Sequence, residues 1–93
     1  MIKSFRCHGT ENLFKTGKSR RFSGIKRAAE RKLMLLESAE TLEFLRSPPG
    51  NRLEALKGHR RGQHSIRINE QYRICFIWTP DGPDQVEIVD YHN

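Results

Sequence analysis

The chain lacks most of what would place it outside a small soluble class. No apolar run approaches the roughly 18 residues of a membrane span. The opening Met1-Ile2-Lys3-Ser4-Phe5-Arg6-Cys7 has no apolar core of signal-peptide length, so a cytoplasmic protein is expected. Cysteine is scarce: Cys7 and Cys75 are too few for a disulfide framework, and no Cys/His spacing matches a zinc site. No metal or cofactor is therefore expected. Glu54 and Glu70 lack the spacing of a paired-carboxylate acid/base site. Internal repeats and low-complexity segments are absent. Acidic residues are outnumbered, 11 against 17 lysines and arginines, for a net charge of +6. That excess suits a polyanion such as nucleic acid or a ribosome, or a strongly acidic protein.

Ninety-three residues predict a single domain, 1–93, with a modest core. Ile2 to Arg6 alternates as a short strand. Glu11–Lys15 suits one or two helical turns with Thr10 as N-cap and Gly17 as terminator. Eight basic residues and one acid lie between Lys15 and Lys32. Ser23 can cap a main helix in which Ile25, Ala28, Ala29, Leu33 and Leu36 recur at helical spacing through about Glu37. Its basic residues fall between them, on a face that is either solvated or in contact with RNA. A second helix is expected from Ala39 to Leu45, stopped by Pro48-Pro49-Gly50. Strands are expected over 52–56, 63–68, 72–78 and 85–91, with turns at 57–62 and 79–83. Two N-terminal helices ahead of hairpin-linked strands define an α+β class, helices packed on a small antiparallel sheet.

The hairpin Ser65-Ile66-Arg67-Ile68-Asn69-Glu70-Gln71-Tyr72-Arg73-Ile74 carries the strongest signal. With 69–71 as the turn, Ile66 faces Ile74, and Arg67 faces Arg73 on the other side of the sheet. Like charges opposite one another cost roughly 0.2–1 kcal/mol. Two guanidiniums side by side can fork a phosphate. A one-residue bulge, or two solvated arginines, is the alternative at this point. Lys57 at a strand end and Asp90-Tyr91-His92 at the C-terminus add further groups. Arginine and lysine can stabilise charge developing on phosphorus oxygens. His92 has a suitable intrinsic pKa for proton transfer. Tyr91 can stack on a base or take part in proton transfer. Asp90 can equally pair with Arg73, and the last turn is too long to decide whether Asp90 or Tyr91 lies beside it. RNA cleavage and non-catalytic nucleic-acid binding both fit these residues. Cys75 is expected to be buried, and His64, alternating with Ile66, to lie towards the core edge.

Met1-Ile2-Lys3-Ser4-Phe5, Leu53-Glu54-Ala55-Leu56-Lys57-Gly58, the arginine hairpin and Glu87-Ile88-Val89-Asp90-Tyr91-His92 together resemble HigB-type toxins. These belong to the RelE superfamily of toxin–antitoxin systems, in the branch called plasmid maintenance system killer proteins. The segment from Arg46 to Leu53 is similar to the GraT-like subgroup. The resemblance implies a microbial-ribonuclease-like fold and metal-independent endonucleolytic cleavage of mRNA in the ribosomal A site. It implies a HigA-type helix-turn-helix antitoxin, and operator DNA bound through the toxin–antitoxin complex. By position, Arg67 and Arg73 match phosphate-binding arginines and Lys57 a basic residue near the site. Asp90, Tyr91 and His92 match the C-terminal active-site residues. Arg60 and Arg61, in the basic loop after Lys57, are taken as RNA-contacting. Some relatives carry a histidine shortly before Leu-Lys-Gly; this chain has Glu54 nearby. A toxin-fold protein that only binds the antitoxin, as a corepressor of its own operon, is the alternative function.

Overall fold

The computed structural model describes residues 1–91. Two α-helices, α1 (His8–Thr16) and α2 (Lys26–Ser38), precede four strands. These are β1 (Glu54–Ala55), β2 (His64–Arg67), β3 (Tyr72–Thr79) and β4 (Gly82–Asp90), paired antiparallel in chain order. The expected α+β arrangement is the one found. Among the described residues no helix is long and apolar enough to cross a membrane.

Alternation along the strands sends Ile66, Ile74, Phe76 and Ile88 to one face of the sheet. There they pack with Leu13, Phe22, Leu33, Leu36 and Leu45, all essentially buried. His64 shares that face and stacks on Phe76, with ring centroids 6.3 Å apart. The opposite face carries Glu54, Ser65, Arg67, Arg73, Cys75, Glu87, Val89 and Tyr91, as the strand register dictates. Helices thus cover one side and leave a polar side open.

Several element boundaries differ from expectation. Helix α1 begins at His8, with Cys7 rather than Thr10 at its N-cap. Thr10 is buried instead, and its Oγ1 accepts the Ile88 N–H at 3.0 Å, satisfying an edge amide of β4. Gly17 ends α1 in the left-handed conformation, as expected. Ser23 opens a 3₁₀ turn, Ser23–Ile25, and α2 follows from Lys26. The Ala39–Leu45 helix does not form. Ala39 turns extended, Thr41 Oγ1 accepts the Phe44 N–H at the entry to a 3₁₀ turn over Glu43–Arg46, and Pro48 follows too soon for more. Lys26, Arg27 and Arg31 are exposed on α2, in keeping with a solvated basic face.

The expected Ile2–Arg6 strand is reduced to one isolated bridge, Phe5 to Val86, running parallel to β4. A bulge in β4 explains the interruption: the register shifts by one residue between Cys75 and Ile77, and Gln85 has φ 52°. The bulge frees the Gln85 N–H, which donates to Ser4 Oγ at 3.0 Å, while Val86 N–H donates to the Ser4 carbonyl. Gly82, at φ 127°, closes the β3–β4 turn directly beneath Met1. A Cβ there would lie 2.1 Å from the Met1 carbonyl oxygen. Gly82→Ala is therefore expected to destabilise the fold by about 1–3 kcal/mol in urea titration. Unchanged stability would contradict this packing of the N-terminal segment.

The two cysteines differ in kind. Cys75 is fully buried, and burial pushes its thiol up from the ordinary value. At Cys7 burial opposes ionisation, but hydrogen bonds from the Thr10 side chain and from the Thr10 and Gly9 backbone outweigh it, helped by Arg21. The net shift is downward, as expected at a helix N-terminus. In the native protein iodoacetamide is expected to label Cys7 and spare Cys75. The pH midpoint for Cys7 labelling should fall below that of free cysteine. Equal labelling, read by mass spectrometry, would contradict the assignment.

Candidate active site

Chain alternation and register build the site. Ile66 pairs with Ile74 and Arg67 with Arg73, the register that the alternation predicts. The two arginines therefore sit across the β2–β3 pair on the open face. Their repulsion is relieved because each guanidinium is tied elsewhere. Arg67 Nε donates to the Asn69 carbonyl at 3.1 Å. Arg73 turns the other way: its Nε donates to Ser65 Oγ at 2.7 Å and its Nη2 to the Arg52 carbonyl at 2.6 Å. A longer contact joins Nη2 to the Ser65 carbonyl at 3.4 Å, and Glu54 Oε1 lies 3.4 Å from the same nitrogen. The Arg73 side chain is only 11 % exposed.

The Arg52 carbonyl is aimed by its own backbone. Arg52 adopts φ 47°, ψ 55° after the 3₁₀ turn Pro49–Asn51, a conformation uncommon outside glycine and asparagine. Buried Asn51 anchors this loop. Its Nδ2 donates to the Leu45 and Ser47 carbonyls at 3.1 and 3.2 Å, and its Oδ1 accepts Lys32 Nζ. Burial, and then Arg31, hold the Lys32 ammonium below its ordinary value. A chain of hydrogen bonds thus runs from α2 through Asn51 to the backbone that holds Arg73.

The last strand resolves the open register. Val89 lies opposite Arg73 and Asp90 opposite Tyr72. Tyr91 follows Val89 by two positions, and its ring lies 5.9 Å from the Arg73 guanidinium carbon, within cation–π range. Asp90 Oδ2 accepts a hydrogen bond from Gln71 Nε2 at 3.1 Å, across the hairpin turn. The Tyr91 hydroxyl bonds to the Cys75 thiol, and burial together with Cys75 pushes the phenol above its ordinary value. Its ring, not its proton, is what faces the arginine.

Arg52, Arg67, Asn69, Glu70, Arg73 and Tyr91 line an open cavity of about 420 Å³. Three guanidiniums against one lining carboxylate give the cavity a positive lining. Lys57 is exposed at the head of the following loop and does not line this cavity. Arg60 lines a neighbouring cleft, where Nη1 donates to Gln63 Oε1 and Nη2 to Glu87 Oε1, both at 3.1 Å. Glu87 also lies 3.6 Å from Arg6, so Arg60 is part of a polar network with Glu87 and Arg6. Arg61 is exposed beside it. His92 lies outside the described residues. Among those described, no three His, Cys, Asp or Glu side chains gather where they could hold a metal ion.

Ser65, Arg52 and Asn69 are the site residues that side-chain pattern alone does not single out. Ser65 was legible in principle, two positions from Arg67 on the same face. Arg52 enters through a backbone conformation that no motif announces.

Comparison with known proteins places the chain in a family. Residues 3–92 match a family model described as the RelE-like toxin of type II toxin–antitoxin system HigB. Toxin HigB-1 of Vibrio cholerae serotype O1 is 39 % identical over 94 residues, covering 99 % of this chain and 98 % of the relative. An uncharacterized protein of Haemophilus influenzae is 39 % identical over 54 residues, 58 % of this chain and 54 % of that protein.

Proposed function

The chain belongs to the HigB-like family of RelE-like toxins in type II toxin–antitoxin systems, and from that premise we propose that it is a ribosome-dependent endoribonuclease cutting mRNA in the A site. The observation that carries this reading is the pairing of Arg67 with Arg73 on the open sheet face, in a cavity with Arg52 and Tyr91. The cavity suits an RNA phosphate, and the Tyr91 ring suits a base beside it.

The chemistry is transesterification at phosphorus. The 2′-oxygen attacks the adjacent phosphate as its proton departs, and the 5′-oxygen leaves as it gains a proton. Arg67 and Arg73 stabilise the negative charge that grows on the non-bridging oxygens. His92 is the proposed proton carrier, with Asp90 supporting it at the end of β4. Tyr91 contributes a ring surface, because its hydroxyl is engaged by Cys75 and its phenol is held protonated. Lys57, Arg60 and Arg61 supply positive surface around the cavity for RNA of the message or ribosome. No step uses a metal or cofactor.

Membership in the family implies a cognate antitoxin. The antitoxin is proposed to be a HigA-type helix-turn-helix protein, through which the complex would reach operator DNA. The purified chain is expected to cut mRNA on translating ribosomes, with a chelator present at a level that spares ribosomal magnesium. The same chain should leave naked RNA largely intact. Rapid cutting of naked RNA, or loss of ribosomal cutting under that chelator, would contradict the reading. A chain that cuts neither but still represses its operon with the antitoxin would be the corepressor instead.

A further inference from the structure

The hydrogen bonds around the paired arginines divide their labour. A guanidinium has five N–H donors, and a bidentate grip on phosphate needs two parallel ones on one edge. Arg73 has spent two of its edges. Its Nε donates to Ser65 Oγ, and its Nη2 faces the Arg52 carbonyl, the Ser65 carbonyl and Glu54. Both edges that include Nη2 are thereby closed. Of the three Arg73 nitrogens, only Nη1 takes no acceptor among the described residues. Arg67 is the reverse case: Nε is bound to the Asn69 carbonyl, and its Nη1/Nη2 edge takes no protein acceptor among the described residues.

We propose that Ser65 is a positioning residue: by holding Arg73 Nε it fixes that guanidinium so that it meets phosphate through Nη1 alone, leaving the bidentate grip to Arg67. Ser65 is fully buried, with its Oγ 2.7 Å from Arg73 Nε. A buried, charge-assisted hydrogen bond of this length holds its donor rigidly. The strained Arg52 backbone supplies the second fixed acceptor. A single donor aimed without freedom suits charge stabilisation, while a fork suits holding substrate.

The catalytic consequence rests on the ribonuclease reading; the hydrogen-bond geometry does not. Two measurements separate them. In nitrogen-15 NMR of the whole protein, the Arg73 Nε–H should be protected from solvent exchange in the parent chain and lose that protection in Ser65→Ala. On translating ribosomes, Ser65→Ala should cut about tenfold to a hundredfold more slowly. Placed on an Arg73→Ala background it should add no further loss, because Ser65 acts through Arg73. Arg67→Lys, which keeps charge but loses the fork, should raise KM more than it lowers kcat. Unchanged Nε exchange in Ser65→Ala, or independent losses in the double variant, would overturn the proposal. A parent chain that shows the protected Nε–H but never cuts RNA would overturn the ribonuclease reading and leave the role of Ser65 in holding Arg73 standing.

Discussion

Replacing Arg73 with alanine is expected to lower the rate of mRNA cleavage on ribosomes by about 10²–10³, the usual consequence of removing one transition-state charge contact. The side chain is mostly buried and held by Ser65, Arg52 and Glu54, so its guanidinium is fixed before substrate arrives. A preorganised donor spends no reorganisation energy at the moment of reaction, which is why its loss should exceed that of an exposed arginine such as Arg61. The substitution also leaves two acceptors without Arg73, the buried Ser65 Oγ and the more exposed Arg52 carbonyl, and water entering the emptied space can satisfy both. A melting curve should therefore shift only modestly while cleavage collapses. Growth arrest by Arg73→Ala at parental expression would contradict the assignment.

Removing His92 and Asn93 is expected to reduce cleavage by about 10²–10⁴, the range for a lost general acid or base. These two residues lie outside the described part of the chain, and the expectation rests on the Asp90-Tyr91-His92 sequence and on the places of Asp90 and Tyr91. That strand ends beside the cavity, with the Tyr91 ring against Arg73. Of the other histidines, His64 packs against Phe76 on the opposite, helix-covered face, and His59 lines the neighbouring cleft. Stability should be nearly unchanged, because the core cluster is built from residues up to Ile88. If the truncated chain cuts at the parental rate, charge stabilisation by the arginines suffices and His92 leaves the mechanism. A large fall in melting temperature would make these residues structural.

Sheet register was legible because the side-chain period of a strand is two. Once Ile66 and Ile74 are placed in the core, Arg67 and Arg73 have nowhere to go but the other face. The helices were legible where apolar spacing is regular, as in Ala29, Leu33 and Leu36, and misjudged where local caps compete. Thr10 looks like an N-cap by residue type, but its hydroxyl serves a strand amide 78 residues away. The Ala39–Leu45 segment has helical spacing, yet Thr41 and Pro48 confine it to one tight turn. The site was legible as a set of charges and not as a set of directions. Side chains opposite one another suggested a shared fork, but backbone carbonyls at Arg52 and Asn69 pull the guanidiniums apart. Such acceptors are present at every residue, so only the fold reveals which ones count. The position of Tyr91 was hidden for a related reason: the bulge at Gln85 changes the β4 register, and no local motif marks it.

Primer extension on mRNA from cells expressing this chain without its antitoxin reads cleavage on translating ribosomes directly. The account predicts new 5′ ends inside translated reading frames, absent from the same transcript when its start codon is removed and absent with Arg73→Ala. Growth arrest with intact messages, or ends that persist on the untranslated transcript, would contradict it.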